Sequence, residues 1–140
     1  MQRSQTINSQ SWSPPPHDFV KINVDASGST NAKVGLGSVI RDSFRDIKAA
    51  ALKWIEPTSV EVAEVEVARY GMELARRLGF NRIILEGDVA NVILAIKSQN
   101  YGLSPISVVY KDIELHKAFF NVFECSLVRR SENVVAHCAA

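Results

Sequence analysis

The stretch Lys21-Ile22-Asn23-Val24-Asp25-Ala26-Ser27-Gly28 narrows the choice of folds more than any other part of the chain. Phe19, Lys21, Asn23 and Asp25 fall on one side of a period-two ladder, and Val20, Ile22, Val24 and Ala26 on the other. The Val/Ile side is apolar enough to be sheet core. The segment therefore reads as a half-buried strand that ends in a carboxylate followed by small residues. An Asp at a strand end is ordinary turn punctuation. Asp25 gains chemical weight only through a Glu and a second Asp downstream, each placed where local packing does not explain it.

After a Gly28-Ser29-Thr30-Asn31 turn, Lys33–Arg41 and Phe44–Trp54 read as two further strands, separated by the Asp42-Ser43 turn. Short connections of this kind favour an antiparallel three-stranded meander. Gly35-Leu36-Gly37 lacks the third glycine of a dinucleotide fingerprint and lies inside a strand, so that function is set aside. Thr58-Ser59-Val60-Glu61 has capping-box spacing and predicts a helix to Leu78, stopped by Gly79. At 100° per residue, Val60, Ala63, Val67, Ala68, Gly71, Leu74 and Leu78 form its apolar arc. Glu64 falls inside that arc, where a carboxylate is costly unless something positive meets it.

Arg82–Glu86 is an apolar strand covered on both faces, followed by Gly87-Asp88 and a short helix to about Ser98. Asp88 has two readings: the N-cap of that helix, or a ligand-facing carboxylate at the end of a central strand. Ser104-Pro105 opens another helix, striped by Ile106, Val109, Ile113, His116 and Phe120, with His116 a hydrogen-bonded core or boundary residue. Asn121–Val128 is the last strand, 129–133 a polar turn, and 134–140 the start of a final helix that is cut short.

One domain of residues 18–140 accounts for this pattern. Residues 1–17 are polar, close on Ser13-Pro14-Pro15-Pro16, and read as a disordered leader and proline-rich linker of a module cut from a longer polypeptide. The net charge of +1 excludes binding of a polyanion by bulk electrostatics alone, leaving local patches or bound metal ions. Cys125 and Cys138 have neither metal-site nor redox spacing and fit buried thiols. No apolar run approaches the roughly 20 residues that span a bilayer, and no signal peptide is seen, so the expected setting is cytoplasmic or nuclear.

A meander followed by alternating helices and strands implies a mixed α/β sheet with helices on both faces. In such a sheet the end of the first strand, the first helix and the end of the fourth strand can converge. That gathers Asp25, Glu64 and Asp88, with His137 arriving from the last helix. Clustered carboxylates raise one another's pKa unless cations neutralise them. Oxygen-rich sites suit Mg²⁺ or Mn²⁺, and two such ions about 4 Å apart can activate water for phosphodiester hydrolysis.

The chain resembles the ribonuclease H-like domain common in plant genomes, which is often attached to reverse-transcriptase-like genes. The residues that carry the resemblance are Trp12 with Pro14-Pro15-Pro16, Lys21–Asp25, Gly35–Asp42, Ala63-Glu64, Glu86-Gly87-Asp88 and Arg130–His137. The resemblance implies a five-stranded sheet in the order 3-2-1-4-5 and metal-dependent cleavage of the RNA strand of RNA–DNA hybrids. It places Asp25, Glu64 and Asp88 at three acidic metal positions. In that mechanism Asp25 bridges two Mg²⁺ ions, Glu64 and Asp88 complete their shells, and His137 assists the second ion or product release.

Two departures temper the activity that the resemblance implies. His137 stands where the best-known catalytic members have Asp, which weakens one ion site or favours Mn²⁺. Gly87 replaces a small hydroxyl residue that could donate a hydrogen bond near the metal. Contacts to a hybrid, which is read by shape, 2′-hydroxyls and phosphates, are assigned to Ala26, Ser27, Gly28, Asn91, Arg129 and Arg130. A second reading stays open: a module of the same fold, catalytically weak or inactive, that binds nucleic acid or a protein partner.

Overall fold

The computed structural model describes residues 12–28, 33–99 and 106–133. Five strands make one mixed sheet in the order β3-β2-β1-β4-β5. They are β1 (Val20–Ser27), β2 (Val34–Arg41), β3 (Ile47–Ile55), β4 (Arg82–Gly87) and β5 (Val122–Leu127). β2 pairs antiparallel with β1 and β3, whereas β4 runs parallel to both β1 and β5. The meander is possible because its turns are short; each parallel step needs a helical crossover instead. The sheet order expected from the resemblance is the one observed, and the fold is ribonuclease H-like.

Three helices supply the crossovers: α1 (Val60–Arg77), α2 (Ala90–Ser98) and α3 (Ser107–Lys117). α1 starts as the capping box predicts, with Ser59 Oγ accepting from the Val62 N–H at 3.2 Å. It stops at Leu78, after which Gly79 takes φ +85°, a left-handed conformation that side chains other than glycine's resist. The helix packs on β1 and β2 with one side and on α3 with another. That double burial corrects the predicted arc. Val65 and Met72 are fully buried, whereas Val60 and Leu78 face solvent. Glu73 contacts His116 on α3 at 3.6 Å, and His116 is the buried, partnered boundary residue expected. The start predicted for α3 at Ser104-Pro105, the final helix from Val134 and Cys138 lie outside the described residues.

The two faces of the sheet differ. Ile22, Val24, Leu36, Ile40, Ile83 and Leu85 join Ala63, Val67, Met72, Ile96 and Ile113 in one apolar core. By alternation, the opposite face presents Lys21, Asn23 and Asp25 on β1, Arg41 on β2 and Glu86 on β4. Residues 12–17 are not a free spacer, which corrects the leader boundary expected at residue 17. Trp12 and Pro15 are buried, and the Arg41 guanidinium lies over the Trp12 ring, 3.7 Å from its centroid. An extended proline run needs no internal hydrogen bonds, so it can lay Trp12 back on the sheet at little cost. Residues 1–11 lie outside the described residues. No described helix is long and apolar enough to cross a membrane.

Candidate metal centre

Strand register brings the first two acids together. Asn23 on β1 pairs with Glu86 on β4, and the strands run parallel. Two residues further on, Asp25 and Asp88 therefore leave neighbouring strand ends on the same side of the pleat. Glu64 reaches them from the second turn of α1, and its Oε2 accepts a hydrogen bond from the Ala26 N–H at 3.3 Å. One oxygen from each of Asp25, Glu64 and Asp88 lies within 4.8 Å of the others.

These carboxylates are shielded from water. Asp25 is fully buried, Glu64 is 6% exposed, and the Asp88 side chain is 4% exposed. Burial, and after it the charge of Asp25, pushes the Glu64 pKa up to about 8, with Asp88 adding to the repulsion. The Ala26 N–H and the Arg130 guanidinium pull the other way, less strongly. Among the described residues neither Asp88 oxygen accepts a hydrogen bond; its nearest cation is Arg130 Nε, 3.9 Å away. The N-cap reading of Asp88 is corrected here, because Val89 occupies the N-cap of α2 and the helix has no side-chain cap. Three dry carboxylates, one of them with two unbonded oxygens, form a donor set that fits a hard divalent cation.

A cleft of about 390 Å³ opens beside the acids and is lined by Glu64 together with Ala26, Ser27, Gly28, Thr58, Val60 and Arg130. Of the substrate contacts expected from sequence, Ala26, Ser27, Gly28 and Arg130 border this cleft. Asn91, exposed in the first turn of α2, and Arg129 do not. His137 lies outside the described residues. Thr58 and Val60 went unnoticed in the sequence as cleft residues, since a helix start looks like a cap and not like a wall. Gly87 abuts Ile93 and Val24, and a Cβ there would meet them at ordinary contact distances of 3.4 and 3.6 Å. Nothing steric requires glycine at that position.

Comparison with known proteins follows the same lines. The family described as reverse transcriptase-like matches residues 23–140. Ribonuclease H1 of the archaeon Halobacterium salinarum superposes with a TM-score of 0.82 at 21% identity, over 87% of this chain and 94% of that one. The N-terminal ribonuclease H domain of rv2228c from Mycobacterium tuberculosis gives 0.80 at 21% identity, over 87% and 90%. LC11-RNase H1, crystallised in complex with an RNA/DNA hybrid, gives 0.74 at 16% identity, over 86% and 91%. No curated protein matches the sequence.

Proposed function

The chain belongs to the reverse transcriptase-like family, and from that premise we propose that it is a metal-dependent endonuclease hydrolysing the RNA strand of RNA–DNA hybrids. The observation that carries the proposal is the convergence of Asp25, Glu64 and Asp88 within 4.8 Å of one another, with Glu64 lining an open cleft. Asp25, Glu64 and Asp88 would hold divalent ions, Mg²⁺ or Mn²⁺, in a two-metal arrangement with His137 as the fourth position. Such ions acidify water and stabilise the leaving oxygen in phosphodiester hydrolysis. A side-chain nucleophile is then unnecessary, and among the described residues none that lines the cleft is a cysteine or histidine.

The chain's own residues have separate tasks. Glu64 releases the proton that burial holds on it when a cation arrives. The Ala26-Ser27-Gly28 segment offers backbone to a phosphate, and Arg130 supplies an exposed guanidinium at the rim, suited to bidentate phosphate contact. One solved relative in fold is a complex with an RNA/DNA hybrid, which supports the substrate class. Action on such hybrids would belong in the cytoplasm or nucleus, as one domain of a longer polypeptide. The test is incubation with labelled RNA–DNA hybrid, duplex RNA and single strands in Mg²⁺ and in Mn²⁺, with Asp25→Asn as control. Hybrid cleavage that disappears in Asp25→Asn is expected, with Mn²⁺ at least as effective as Mg²⁺. Hybrid binding without cleavage would instead support the non-cutting module, which the His137 substitution favours.

A further inference from the structure

Beneath the acids, on the polar face of the sheet, lies a buried hydrogen-bonded network that the metal chemistry does not use. The Asn23 side-chain NH₂ donates to Glu86 Oε1 at 2.9 Å and to Asn133 Oδ1 at 3.1 Å. Asn133 in turn donates to the Val24 carbonyl at 2.8 Å. Trp12 Nε1 donates to Glu86 Oε1 at 3.1 Å, and Lys21 Nζ meets Glu86 Oε2 at 3.0 Å. Asn23 and Asn133 are fully buried and Glu86 nearly so. A carboxylate accepts only, so Glu86 fixes which way the Asn23 amide points; that orientation in turn leaves Asn133 Oδ1 as the acceptor for Asn23.

The placement of these residues is what gives the network a use. Asn23 stands two residues before Asp25, Glu86 two before Asp88, and Asn133 three after Arg130. We infer that the Asn23–Glu86–Asn133 network, closed over by Trp12, is the positioning element that holds Asp25, Asp88 and the Arg130 segment at ion-binding separation. It joins three distant pieces of chain, and between two of them the like charges of Asp25 and Asp88 would otherwise drive the strand ends apart. Glu86 carries no share of ion binding in this scheme, being engaged by Lys21, Trp12 and Asn23. The inference rests on the metal-dependent reading of the acids, and its test separates the two.

The full chain carrying Asn133→Ala or Trp12→Phe is compared with wild type, at a temperature where circular dichroism shows each folded. Backbone hydrogen exchange without metal is followed together with Mn²⁺ titration calorimetry. Trp12→Phe keeps a ring on Arg41 but removes the donor to Glu86. Exchange should quicken at residues 24–28 and 86–89 in both variants while α3 keeps wild-type protection. Mn²⁺ binding should weaken about 10-fold in Asn133→Ala and less in Trp12→Phe, and hybrid cleavage lost at low Mn²⁺ should return at saturation. Wild-type exchange at those residues in the variants that fold overturns the inference, as does a uniform loosening that includes α3. A wild-type chain that binds no Mn²⁺, with the variants still loosened at 24–28 and 86–89, sinks the metal reading and leaves the positioning role standing.

Discussion

Glu64 is the residue at which burial and charge are most directly opposed. Its carboxyl is held protonated up to about pH 8, against 4.5 for the ordinary group, first by burial and then by Asp25. The raised folded value fixes the sign of the pH dependence. The stability this group contributes is fully present below about pH 4.5, declines as pH rises, and is gone above about pH 8. Without metal the melting temperature should therefore fall between pH 5 and 8, and Glu64→Gln should flatten most of that slope; scanning calorimetry across the range checks both. Mn²⁺ added near pH 6.5 should restore the melting temperature and release close to about one proton, read as a dependence of binding heat on buffer ionisation. Cys125 is a milder case: burial raises its thiol to about 12, which makes it a poor nucleophile at neutral pH.

Among the elements, α1 has the tightest contact with the sheet. A Cβ added at Gly71 would lie 2.8 Å from Val24 Cγ1 and 3.0 Å from both Ile22 Cγ2 and Ser38 Oγ. Gly71→Ala should therefore destabilise the protein by about 1–3 kcal/mol, although alanine is the better helix former, and urea denaturation measures it. A gain in stability would mean that α1 can slide off β1 freely. The same helix shows what periodicity can reveal. Ser59, Gly79 and the anomalous Glu64 were legible because caps and a charge on an apolar arc are local signals. Val65 and Met72 were not, because a single-stripe pattern assumes one buried side, and α1 is buried against both sheet and α3. The three acids could be nominated for a similar reason, since strand ends and helix arcs are read over a few residues. The network of Trp12, Asn23, Glu86 and Asn133 spans 63 to 110 residues per bond, and no local pattern encodes such pairings. The proline run was misread for the same reason, since its composition says extended but not what it rests on.

Taken as a whole molecule, the protein is nearly neutral, with a net charge of +1. Among the described residues that line the cleft, only Arg130 carries positive charge, with Arg129 next to it in sequence. Affinity for a hybrid should then depend weakly on salt without metal, with a slope of log K against log salt near about −2. Fluorescence anisotropy over a salt series gives that slope; one several times steeper would mean that a basic surface outside the cleft carries the duplex. The Trp12 arm bears on how such measurements are made. The chain has two tryptophans, Trp12 buried against Glu86 and Arg41 and Trp54 56% exposed on the edge strand β3. Acrylamide should quench the emission of Trp54 and spare that of Trp12. Release of the arm would then be visible as a second quenchable population before any melting of the sheet, so the protein carries an optical gauge of its own N-terminal clasp.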